Sequence, residues 1–134
     1  MTRGYSLAFQ ITGYLYWEAL SKCDSSEEIN WEEINQKLDA LLSELAYDKI
    51  WSELSVNDIK VLTGMLEARK ASGMDMIKVE AIRDIIGMTS DNFTKYRSRL
   101  IDNDILDGAT YGCLRFKLPR FEQYIEQKML QKIY

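Results

Sequence analysis

Residues 91–99 interleave charged and hydrogen-bonding side chains with apolar ones at helical spacing. At 100° per residue, Phe93, Tyr96 and Leu100 lie within about 60° of one another as a core stripe, which turns Asp91, Thr94, Lys95, Ser98 and Arg99 outward. That outward set suits a groove of a polyanion. Lys95 and Arg99 donate to phosphate or to guanine, and Ser98 donates or accepts. Thr94 reaches a thymine methyl or a phosphate, and Asn92, nearer the helix start, pairs with adenine if it faces the groove. Arg115 and Lys117 alternate with Leu114, Phe116 and Leu118, so both cations share the solvent face of a short strand as phosphate anchors. Thr110 and Tyr111, between Gly108 and Gly112, put a hydroxyl and an aromatic edge at the tip of a turn, where they fit a backbone or a minor groove. Each feature also has a plainer reading. The cations form an ordinary solvated helix face, and Tyr111 packs on its own hairpin. Asp91 favours the plainer reading, because a carboxylate facing nucleic acid is repelled unless it accepts from a cytosine amino group. Arg97, nearer the buried edge, serves phosphate or folds back on Asp102 or Asp104.

Other chemistries lack their residues. The 134-residue chain has no histidine, which removes the commonest general base, a frequent zinc ligand and every Ser-His or Cys-His pair. No GxxxxGK[ST] loop and no GxGxxG after a strand is present, so no cofactor, no metal and no catalytic residue is expected. Cys23 and Cys113 stand far apart without metal-ligand neighbours and read as reduced, half-buried thiols. No apolar run approaches the roughly 18 residues that span a bilayer, and no signal-peptide core is visible, so the expectation is a soluble cytoplasmic protein without a membrane partner. The net charge of −4 is unevenly spread. Residues 24–53 hold nine acids against Lys37 and Lys49, whereas residues 54–134 hold 13 basic against 11 acidic residues. Residues 93–120 carry six cations and three acids, a local bias toward phosphate.

The elements that must position these residues divide the chain at residue 53. Residues 1–53 read as a helical extension. Its first helix, residues 5–20, carries Leu7, Phe9, Ile11, Tyr14, Leu15, Trp17 and Leu20 around more than half its circumference, and so calls for burial on two sides. A second helix starts near Ser25–Ser26 with Glu27 and Glu28 in its first turn and runs to about Tyr47, with Ile34, Leu38, Leu41, Leu42 and Leu45 inward. Trp17, Trp31 and Trp51 are expected in packing. Residues 54–134 read as a winged helix-turn-helix. Ser55 caps a first helix with core residues Ile59, Leu62, Met65 and Leu66, closed at Gly73. Residues 76–79 are extended, residues 80–86 form a second helix with Ile82, Ile85 and Ile86 inward, and the helix containing residues 91–100 follows after a short turn. Residues 105–106 and 113–118 form a hairpin, and Pro119 opens a last helix over residues 120–133. The fold class is therefore mainly α with a small β-hairpin, a winged helix-turn-helix preceded by two helices.

Two blocks, residues 4–17 (GYSLAFQITGYLYW) and residues 112–121 (GCLRFKLPRF), resemble the C-terminal part of prokaryotic AAA-type ATPases related to origin-recognition and replication-initiator ATPases. In that resemblance the first block corresponds to the end of the lid subdomain and the second closes a winged helix. Ser6 replaces a proline frequent in the family, and Arg3 is the only basic residue near the position of the nucleotide-sensing lid arginine. The resemblance implies a non-catalytic piece of a larger ATPase, with double-stranded DNA and the ATPase core of the same parent protein as partners. The apolar first helix also suits a second copy of the chain. A winged helix used as a protein-interaction surface, with Asp91 and the acidic second helix meeting a basic partner, is the alternative.

Overall fold

The computed structural model describes residues 3–22 and 29–133. It is mainly α with a small three-stranded antiparallel sheet. Helix α1 (Arg3–Lys22) packs on α2 (Trp31–Leu42). Asn30 caps α2, its side chain accepting the Glu33 N–H, and Glu32 and Glu33 stand in the first turn. The helix expected over this stretch thus starts later than Ser26 in the described residues, while Glu27 and Glu28 lie outside them.

The helix also continues beyond Tyr47, through a π-helical turn (Ser43–Tyr47) into α3 (Asp48–Ser52). An i→i+5 turn stacks residues five apart, so Leu42 and Tyr47 share one face, and both are buried. The turn keeps the aromatic end of the extension aimed at the core.

Helix α4 (Val56–Ser72) begins with a full capping box between Ser55 and Asp58 and ends at Gly73, whose φ of 71° satisfies the last carbonyls. Strand β1 (Ile77–Lys78) leads into α5 (Val79–Ile86), and α6 (Ser90–Asp102) follows with Thr89 as its cap. Strands β2 (Leu106–Asp107) and β3 (Cys113–Phe116) make the expected hairpin, and α7 (Phe121–Ile133) closes the chain. Strand β3 is central: Ile77 pairs with Leu114 on one side and Leu106 with Phe116 on the other.

One core gathers residues from both halves of the chain. Leu38, Leu42, Ala46 and Tyr47 join Val61, Leu62, Met65, Phe93, Leu114, Phe121 and Ile125 in a single buried cluster. The Tyr47 hydroxyl donates to the Pro119 carbonyl (2.5 Å), and its ring meets Phe121 edge-on at 5.1 Å. Arg120, in the left-handed region at φ 56°, reaches across to Asp39 with the Nε–Nη2 edge of its guanidinium, Nη2 to Oδ2 at 3.0 Å. That left-handed residue is why α7 begins at Phe121 and not at Arg120.

Several expected core positions differ. Trp17 is 66% and Trp31 42% exposed, because α1 has α2 on one side and nothing described on the other. Ile85 faces solvent at the end of α5, and Ile59 is half-buried. Leu45 also points outward, since the π turn rotates it away from the face that Leu42 and Tyr47 share.

Candidate nucleic-acid interface

The outer face of α6 presents Asp91, Asn92, Thr94, Lys95, Ser98 and Arg99, all exposed, over an inner face where Phe93 and Leu100 are buried and Tyr96 half-buried. Tyr96 is only partly covered because its hydroxyl reaches the surface and accepts from Asn57 Nδ2 at 2.9 Å. That bond ties the start of α4 to the middle of α6.

The face is less cationic than a count of its residues suggests. Arg99 Nη2 lies 3.1 Å from Asp58 Oδ2, Arg115 Nη2 is 2.7 Å from Asp107, and Lys117 Nζ is 2.9 Å from Asp104. Arg97 folds back, but onto the Gly108 carbonyl (3.5 Å) and not onto Asp102 or Asp104. Its guanidinium covers Gly108 so closely that a Cβ there would stand 2.9 Å from Nη2 and 2.5 Å from Ile101 Cδ1. Gly108 thus marks a close approach of the hairpin to α6, made against side-chain ends that can still give way. Lys95 makes no ion pair among the described residues and rests 5.8 Å from the Tyr96 ring centroid, at the edge of cation-π range. The Thr94 hydroxyl donates to the Ser90 carbonyl (2.9 Å), so its methyl is the part free for an outside contact. Asn92 contributes its backbone N–H to the Thr89 cap and leaves its side chain exposed, as is that of Ser98.

The hairpin tip is held by its own backbone. Asp107 Oδ1 accepts the Ala109 N–H (2.9 Å), Cys113 N–H donates to the Thr110 carbonyl (3.1 Å), and Gly112 takes φ 73°. The Ala109 N–H, followed by Arg115, holds the Asp107 carboxyl below its usual range. Tyr111 is fully exposed and does not pack on its hairpin. Cys113 is a half-buried free thiol, and Cys23 lies outside the described residues.

The residue that sequence reasoning left out of this face is Asp58. Its spacing from Ser55 announces a helix cap, and nothing local announces that the same carboxylate will sit beneath Arg99.

A separate acidic recess lies between α2, the π turn and α7, lined by Gln36, Asp39, Ser43, Glu44, Asp48 and Gln127. Within it Tyr124 donates to Asp48 (2.6 Å), and this hydroxyl is the main cause that lowers the Asp48 pKa. Among the described residues no helix is long and apolar enough to cross a membrane.

Residues 44–125 match the profile of a family described as a domain of unknown function, DUF8462. The matched stretch starts inside the π turn and ends in α7, so it takes in the buried Ala46 and Tyr47 together with α4 to α6 and the sheet. No curated protein and no solved structure matches the chain.

Proposed function

The chain belongs to the DUF8462 family, and we propose that it is a non-catalytic winged-helix module that binds double-stranded DNA through α6 and the β2–β3 hairpin. The observation that carries the reading is the α6 surface itself. Lys95, Ser98 and Arg99 are exposed on a helix that follows α5 by a three-residue turn, and the adjoining hairpin projects a fully exposed Tyr111. This is the arrangement in which the second helix of a helix-turn-helix enters a major groove and a wing touches the neighbouring backbone.

Titration of a labelled duplex at low and moderate salt tests the proposal. Affinity should fall with salt, since few phosphates are neutralised but each releases counterions, and Lys95→Glu should abolish binding without unfolding a chain in which Lys95 holds no ion pair. Absence of binding at low salt overturns the reading.

A second reading rests on a different observation. Arg99, Arg115 and Lys117 are neutralised within the chain, and in the recess Asp39 and Asp48 are likewise met by Arg120 and Lys128, but Glu44 beside them has no ion pair among the described residues and fits a docking surface for a basic protein. Lys95→Glu separates the two, because an interaction through the acidic recess survives it.

The proposal extends to kinship with the C-terminal part of AAA-type ATPases, and the support is α1. Its outer side exposes Leu7, Tyr14, Trp17 and Leu20, a surface suited to an ATPase core. Co-elution with a core domain from the same source, lost in Trp17→Glu, is the expected outcome. Unchanged co-elution sinks the assignment of this face. A shift to dimer on concentrating the chain alone points to a second copy instead.

A further inference from the structure

Among the described cations of α6 and the hairpin, Arg99 alone is paired with a fully buried acid. Asp58 is 1% exposed, whereas the carboxylates facing Arg115 and Lys117 are only partly buried. Asp58 Oδ2 accepts the Ser55 N–H (3.0 Å) and lies 3.1 Å from Arg99 Nη2, while Oδ1 is buried without a hydrogen-bond partner. A carboxylate taken out of water requires compensation, and an exposed side chain is an odd source for it. Arg99 is 47% exposed.

The consequence is geometric. A surface ion pair lets both side chains wander, but a buried carboxylate fixed by a capping box cannot follow its partner outward. The Asn57 to Tyr96 bond holds the same two helices together one residue earlier on α4. Arg99 is therefore tethered by charge, through Nη2, to a carboxylate that cannot move, and its guanidinium N–H groups have no hydrogen-bond acceptor among the described residues. A planar guanidinium carries five N–H groups. Two parallel ones match O6 and N7 of guanine, a pair no other base presents in the major groove. A phosphate takes the same fork, but phosphates stand at every step of the duplex, so only the guanine contact makes one base pair preferred over another.

We propose that Asp58 is a positioning residue that holds Arg99 in the orientation for reading a guanine in the major groove. This rests on the DNA-binding reading above and names the base that its helix selects.

The experiment is selection of duplexes from a random pool by the full chain, then titration of the selected duplex against one in which the preferred G·C pair is A·T. The parent chain should favour guanine by roughly ten-fold or more. Arg99→Lys keeps the charge and loses the fork, so the preference should vanish while affinity for the A·T duplex stays within about three-fold. Asp58→Asn should lose the preference too, and Ser55→Ala, which weakens the cap but spares the ion pair, should keep it. Because Asp58→Asn also disturbs the cap, nitrogen NMR of the Arg99 guanidinium in the unmutated free chain gives an independent readout: rotation about its Nε–Cζ bond should be slowed. A freely rotating guanidinium, a uniform loss of affinity on all duplexes in Arg99→Lys, or an unchanged preference in a folded Asp58→Asn chain overturns the inference. DNA binding without base preference overturns it alone, whereas failure to bind any duplex overturns the DNA reading as well.

Discussion

Tyr47 and Tyr124 each place a hydroxyl where the two halves of the chain meet, and both hydroxyls are spoken for. Burial raises the Tyr47 pKa, with Asp39 adding to the effect, and burial together with Asp48 raises that of Tyr124, so both stay protonated donors across the ordinary pH range. Tyr47→Phe leaves the Pro119 carbonyl without its donor inside the core, and a loss of about 1–3 kcal/mol is expected in urea unfolding. Tyr124→Phe removes the main cause of the low Asp48 pKa, so the Asp48 carboxyl should titrate nearer the usual range by NMR. Asp107 supplies a pH dependence of known sign. Its folded pKa lies below the unfolded value, so the unfolded chain holds the proton more tightly. The stability it contributes is complete above about pH 4 and is lost as pH falls through the lowered value. The Ala109 amide, which Asp107 caps, should exchange faster with solvent below that point, and an exchange rate indifferent to pH after correction for intrinsic chemistry would remove Asp107 as the cause.

Two helical glycines make opposite demands on their elements. Gly64 lies where α4 and α5 cross, and a Cβ there would stand 2.4 Å from Ile86 Cγ2. That methyl sits on the branched Cβ of Ile86, whose χ1 is stiff in a helix, so Gly64→Ala should cost about 1–3 kcal/mol by forcing the helices apart. Gly13, in the middle of α1, has nothing within 4 Å of its virtual Cβ. Gly13→Ala should raise stability by about 0.5–1 kcal/mol through helix propensity alone. Thermal melts of the two variants should move in opposite directions, and a shared direction would refute the close helix crossing. The close crossing also serves the candidate interface, because α5 sets the angle at which α6 leaves the turn.

At the scale of the molecule, the helical extension and the remainder share one core. Cutting the chain at residue 54, where the patterning of polar and apolar residues restarts, would remove Leu38, Leu42, Ala46 and Tyr47 and uncover Phe121 and Tyr124. Each leucine removed forfeits about 1.5–3 kcal/mol of burial, enough in sum to threaten a small domain whose whole stability is about 5–15 kcal/mol. Residues 54–134 alone should therefore lose their near-ultraviolet circular dichroism or melt far below the full chain. Equal melting temperatures would mean that the two units are independent. The family match, which begins at residue 44, retains Ala46 and Tyr47 but not Leu38 or Leu42.

Local chemistry determined much of this protein by itself. Ser55 with Asp58, Gly73, Gly87 and Thr89 mark helix ends through hydrogen bonds that span a few residues, and these are legible wherever they occur. The alternation of Leu114, Arg115, Phe116 and Lys117 likewise foretold a strand and its solvent face. Other features depend on partners far along the chain. The π turn is invisible in a helical wheel because one extra residue shifts the register only when a core awaits Tyr47. Trp17 and Trp31 looked interior by type, yet exposure depends on what surrounds a helix and not on its composition. The outward cations of α6 and the hairpin were readable as a face, but their charge was not. Whether Arg99, Arg115 and Lys117 are free or paired depends on where Asp58, Asp107 and Asp104 come to lie, and an ion pair is decided by distance in space, which only the tertiary structure sets.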